Sequence, residues 1–189
     1  METSKIIFIV LGIIVVIVLF IVFWAIGISN TIKRMRVKVQ ESESGIDVAL
    51  TQRFDMLTKM FQAAKGFMKH ERDTLESIVK MRQPGGNASM EDKQKFSDEV
   101  GRGLQAVNVV VEQYPELRSS ETMQKLQDST VRVEENLQAA RRIYNSNVSS
   151  FNAYILVFPN SIIANRANAQ QIQFFEAEEQ KRQDVEFNF

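Results

Sequence analysis

Cysteine is missing from the 189 residues, and histidine occurs once, at position 70. Without thiols there are no disulfides, no thiolate metal sites, no thiol catalysis and no lipid attached through sulfur. A zinc centre or a di-iron bundle site needs imidazoles or thiolates in numbers this chain does not hold, and the residue three before His70 is Phe67 where a di-iron motif requires Glu. Charge of one sign is not in excess either: 23 Lys and Arg stand against 23 Asp and Glu. No global field therefore draws the chain to nucleic acid or to an acidic substrate. No G-x-x-x-x-G-K-[ST] phosphate loop occurs, and Gly101-Arg102-Gly103 falls inside a helical pattern. Three prolines and eight glycines leave room for long helices. No unit recurs at solenoid or propeller periods.

The chain does have one long apolar run. Ile6 to Ile28 is 23 residues without a charge. At about 1.5 Å per residue such a helix crosses a hydrocarbon core of about 30 Å with some tilt. The run exceeds the apolar region of a cleaved signal peptide, despite the small residues of Ala25-Ile26-Gly27, so a retained anchor is expected. Trp24 lies near one end, where an indole suits the interface. Lys33, Arg34, Arg36 and Lys38 follow, and no acid comes before Glu41. That asymmetry predicts a short N-terminus outside and a cytoplasmic body. The same four cations are candidates for contact with anionic headgroups.

Past the membrane, apolar residues fall three or four apart, through Ile46, Leu50, Phe54, Leu57, Phe61, Ala64, Met68, Leu75, Ile78 and Met81. This pattern predicts one helix, or two nearly collinear ones, from the bilayer to Met81 or Arg82, with Gly45 as the bend and Gly66 tolerated. Pro84-Gly85-Gly86-Asn87 breaks it. Ser89 is placed to cap a second helix, which runs through Phe96, Val100, Leu104, Val107 and Val111 to Tyr114-Pro115. Ser119 or Ser120 caps a third. There Met123, Leu126, Thr130, Val133, Leu137, Ala140, Tyr144, Val148, Phe151, Ile155 and Phe158 average 3.5 residues per step, the period of a coiled-coil seam. Asn145 and Asn152 flank that seam and are expected to bond a neighbouring helix. A shorter fourth helix, from Ser161 to about Gln183, completes the fold class: all-α, an N-terminal transmembrane helix followed by an antiparallel four-helix-type bundle. The expected divisions are residues 1–5 outside, 6–28 in the membrane, 29–45 a basic connector, 46–183 the bundle and 184–189 a tail.

Two blocks resemble the LemA family of bacterial proteins. In IDVALTQRFDMLTKMFQAAKGFMKHE they are Ile46-Asp47-Val48, Leu50, Arg53, Asp55, Leu57, Lys65-Gly66 and His70-Glu71. The second block is YPELR at 114–118, then ARRIYNSNVSSFNAYILVFPNSIIA at 140–164, with Phe175-Glu176-Ala177 and an apolar ending. The resemblance implies an N-terminal membrane helix and a helical body. Where the family carries Pro-Asn, this chain has Thr58-Lys59, which implies a straighter first helix; the Trp common shortly before Ile46 is absent. Some relatives serve membrane organelles, so organelle organisation or remodelling is one function the resemblance suggests.

No complete catalytic constellation emerges. FMKHERDTLESI is similar to the phosphoacceptor helix of sensor histidine kinases, yet its proline is missing, Leu75 falls one residue early and no ATP-binding domain follows. A phosphorelay module using His70 is the alternative reading. Asp47, Arg53 and Asp55 are candidate partner contacts, or else partners of Arg141 or Arg142 within the bundle. Glu134-Glu135 reads as a solvated face. The expected function is a membrane-anchored helical scaffold or adaptor, without catalysis, cofactor or metal. Its expected partners are membrane lipid and another protein or its own copies, with no nucleic acid or small-molecule substrate.

Overall fold

The computed structural model describes residues 2–68, 76, 78–86 and 88–176, with backbone alone for residues 2–5. The protein is all-α, with no strand among the described residues. Helix α1 spans Glu2–Ala64, α2 Met90–Gln113, α3 Pro115–Arg118, α4 Glu121–Leu156 and α5 Asn160–Arg166. The chain divides into two compact units, one from residues 1–40 and 147–172, the other from residues 41–146 and 173–189.

In the larger unit, three long helical segments meet pairwise. Phe54 of α1 packs on Phe96 of α2 with ring centroids 5.5 Å apart. The Thr130 hydroxyl of α4 donates to the Met60 sulfur of α1 at 3.2 Å, and the Gln127 amide of α4 donates to Asn108 of α2 at 3.4 Å. Ile46, Leu50, Leu57, Met60, Val100, Val107, Met123 and Leu137 are at most 2% exposed and form the core. These are the residues that recur at three- and four-residue steps, so one stripe per helix drives the assembly.

Helix α1 is unbroken at Gly45 and at Thr58, whose hydroxyl donates back to the Phe54 carbonyl at 3.0 Å. It does not reach Met81. It ends at Ala64 in a turn over residues 65–67, so Gly66 and not Gly45 marks the break. Glycine weakens a helix by about 1 kcal/mol relative to alanine, and here a reversal exploits the weakness. Phe67 packs on Tyr114 at 5.5 Å, and Met68 is buried. The chain then returns alongside α1: the Gln83 amide donates to the Thr51 hydroxyl, and the Met81 methyl lies against Gly103.

Ser89 caps α2 as expected. Its hydroxyl accepts from the Asp92 amide at 3.1 Å and donates to the Asp92 carboxylate at 2.6 Å, which holds that carboxyl below its ordinary range. Tyr114 ends α2, and Pro115 opens the single turn of α3 at a position where its missing N–H is harmless.

In the smaller unit, Val148, Phe151 and Ile155 of α4 are buried, together with Ile28, Ile32 and Val39 of α1 and Ala164 of α5. The seam stops short of Phe158, which is 77% exposed, because α4 ends at Leu156 and the period ends with it. The fourth helix is also shorter than expected. It closes at Arg166, and residues 169–176 are not helical. Residues 177–189, including the two tail phenylalanines, lie outside the described residues.

Candidate functional site

Polar side chains occupy stripe positions in the larger unit. Arg53 sits between Leu50 and Leu57 on α1, Lys93 and Ser97 between Met90 and Val100 on α2, and Arg141 between Leu137 and Tyr144 on α4. Helical spacing turns all four inward, where an unpaired charge is costly. Each is met by a complementary group.

Arg53 is 6% exposed. One Nη donates to the Ser97 carbonyl at 2.7 Å and to its hydroxyl at 3.1 Å, and Nε lies 2.8 Å from the Glu134 carboxylate. Arg141 donates to the same Ser97 hydroxyl at 2.6 Å, and its guanidinium stacks 4.6 Å over the Phe175 ring. Two cations thus share the Ser97 hydroxyl, with the Glu134 carboxylate beside Arg53 and the Phe175 ring beside Arg141.

Lys93, 1% exposed, forms the second cluster. Its ammonium lies 2.8 Å from Glu43 and 2.8 Å from Asp47, one helical turn apart on α1. Burial opposes the charge, but hydrogen bonds to Asp47 and then Glu43 outweigh it and raise the lysine above its ordinary value. Nearby, burial pushes the Tyr144 phenol up to about 12, with a smaller contribution from Glu43, and its hydroxyl donates to the Gln173 carbonyl at 2.8 Å.

The two flanking asparagines bond chain outside any helix. Asn145 accepts from the Phe175 amide and donates to the Phe175 carbonyl, both at 2.9 Å. Within the smaller unit Asn152 does the same to Ile172, again at 2.9 Å in each direction. A primary amide offers one acceptor and two donors, so it can satisfy both backbone groups of a residue that has no helical partner.

Above Arg53 and Glu134 a groove of about 830 Å³ opens between α2 and α4. Its lining includes the apolar Leu104, Val109 and Val131 and the charged Glu112, Glu135 and Arg142. Among the described residues no three His, Asp or Glu side chains come together as a metal site. His70 lies outside the described residues.

The sequence profile of the LemA family matches residues 42–189. The chain belongs to the LemA family. It is also 26% identical to Protein LemA of Metamycoplasma hominis over 166 residues, which covers 87% of this chain and 76% of that relative. The family match takes in every residue of the two polar clusters.

The candidate contacts fare differently. Asp47 pairs with Lys93 and not with Arg141 or Arg142. Arg53 is buried, and Asp55 is exposed on α1. Glu134 is no merely solvated residue: it is one third exposed and pairs with Arg53. Lys33, Arg34, Arg36 and Lys38 are all exposed. Lys93 and Ser97 were missed, although their signal was present as polar residues in phase with an apolar stripe.

Proposed function

We propose that this chain is a membrane-tethered, non-catalytic scaffold of the LemA family, whose helical body meets a protein partner or further copies of itself on the cytoplasmic face of a bacterial inner membrane. One observation carries the reading: α1 is uncovered where it is apolar and buried where it is amphipathic. Its large apolar side chains from Ile6 to Ile26 are each at least 40% exposed, while Ile46, Leu50 and Leu57 of the same helix are core residues. A helix of that length and hydropathy, with no protein cover, suits a bilayer's hydrocarbon core. On this reading the anchor and the first helix of the body are one continuous element. Lys33, Arg34, Arg36 and Lys38 supply the orientation and a contact to anionic headgroups.

The inward charges support a scaffold over an enzyme. Arg53, Lys93 and Arg141 are each engaged by groups of this chain, as structural cross-links are. The α2–α4 groove and the exposed Asp55 are the surfaces left for a partner. Crosslinking in intact membranes, compared with a chain lacking residues 1–32, tests this. A reproducible oligomer or partner that depends on the anchor is expected; a strictly solitary monomer overturns the reading.

A further inference from the structure

The smaller unit has an apolar corner that its own core does not use. Leu156, Val157, Phe158 and Ile162 are 58, 59, 77 and 58% exposed, around the turn from α4 to α5. Their position against α1 follows from two observations inside this unit. The Asn147 amide reaches the Lys38 carbonyl at 3.4 Å, which sets the register. Ile28 and Ile32 of α1 are 5 and 4% exposed, so the covering segment extends from there toward the helix N-terminus. Helix α4 therefore runs antiparallel to α1. Nine residues on from Asn147, about 14 Å along the axis, Leu156 comes level with Ser29. The corner that follows stands beside Trp24 to Ile28, at the end of the uncovered apolar run.

Charge points the same way. No Asp or Glu occurs from Lys5 to Gln40, nor from Asn147 to Ile172. Within the smaller unit the exposed charges past the apolar run are Lys33, Arg34, Arg36, Lys38 and Arg166. An acid-free, cationic surface with an apolar tip has the pattern of an interfacial anchor on anionic lipid.

We propose that Leu156, Val157, Phe158 and Ile162 enter the same bilayer leaflet as the C-terminal end of the α1 span, as a second membrane contact that pins the body to the lipid. The proposal rests on the reading of α1 as a membrane span, and the experiment separates the two. Because the natural chain has no cysteine, Phe158→Cys and Ile162→Cys each give one labelling site on the full-length protein. Each variant carries an environment-sensitive fluorophore and is reconstituted in phosphatidylcholine–phosphatidylglycerol vesicles with or without nitroxide-labelled lipid. Trp24, the single tryptophan, reports on the span in the unlabelled chain, and Val131→Cys is the control on the larger unit.

The expected result is a blue-shifted label at 158 and 162 that nitroxide lipid quenches as it does Trp24, and an unquenched label at 131. Quenching of Trp24 without quenching at 158 and 162 overturns the second contact and leaves the span standing. A label at 158 shielded from aqueous iodide yet unquenched by lipid means a protein covers the corner, and also overturns it. If Trp24 is unquenched as well, both readings fall. Phe158→Asp in the chain labelled at 162 should reduce quenching there while Trp24 remains quenched; unchanged quenching at 162 counts against the corner as the inserting element.

Discussion

Arg53 and Arg141, on different helices, donate to one hydroxyl, that of Ser97, at 3.1 and 2.6 Å. Two guanidiniums approach each other there because Glu134 takes one side of Arg53 and the Phe175 ring lies under Arg141. The arrangement ties α1, α2, α4 and the segment after α5 to a single point within the larger unit.

Ser97→Ala removes the acceptor both cations share. Loss of hydrogen bonds to buried charged donors costs about 2–3 kcal/mol. Denaturant unfolding of the full chain in detergent should show this shift. In an Arg141→Ala background the same change should cost less, because one of the two donors, the one at 2.6 Å, is already gone and only Arg53 still loses a bond.

Lys93→Ala leaves Glu43 and Asp47 facing each other without their cation. Removing one member of a buried pair costs about 3–5 kcal/mol, but both carboxylates are about one third exposed, so about 2–4 kcal/mol is expected. Lys93→Met, which keeps the packed stem, should lose less than the alanine variant in the same measurement.

Alkaline pH should loosen the body through two groups. Lys93 and Tyr144 both have folded values above their unfolded ones, so their contributions are complete below about pH 10 and lost as pH rises. For Tyr144 the window runs from 10.0 to about 12. Phenolate absorbance should show a late ionisation, and Tyr144→Phe should abolish that late step. The same variant loses the bond to the Gln173 carbonyl, for about 1 kcal/mol.

Asn145→Ala should free the chain around Phe175, and Asn152→Ala the chain around Ile172. Hydrogen exchange at those two amides is expected to speed up in the matching variant, while exchange along α4 stays unchanged. Equal rates in variant and natural chain would mean the amides do not hold the segment.

Gly103 permits a close approach of α2. A Cβ there would stand 2.8 Å from a Leu57 methyl, with the Met81 methyl at 3.3 Å. Gly103→Ala gains about 1 kcal/mol of helix propensity against that crowding, so its net effect on the melting midpoint should be small. Gly103→Leu has no such room and should cost more than about 2 kcal/mol.

Much of the architecture was legible because it is periodic. The apolar run to Ile28, the cap at Ser89, the stop at Tyr114-Pro115 and the seam from Met123 to Ile155 are local signals, and each appears where its residues stand. The reversal after Ala64 was not legible, since the spacing through Met68 and Ile78 suits a helix that continues and a helix that folds back. The fourth helix failed for a related reason. Ile172 and Phe175 satisfy a helical pattern, yet their backbone groups are bonded by Asn152 and Asn145, and that competition is invisible until α4 lies beside them.

By itself the sequence determined the helical class, the uncovered apolar segment and the cations after it, because each depends on neighbours one or two turns away. Only the tertiary structure decided that Asp47 answers Lys93 and that Arg53 and Arg141 meet at Ser97. Those pairings join residues dozens of positions apart, and a stripe tells a side chain to turn inward without telling it whom it will meet.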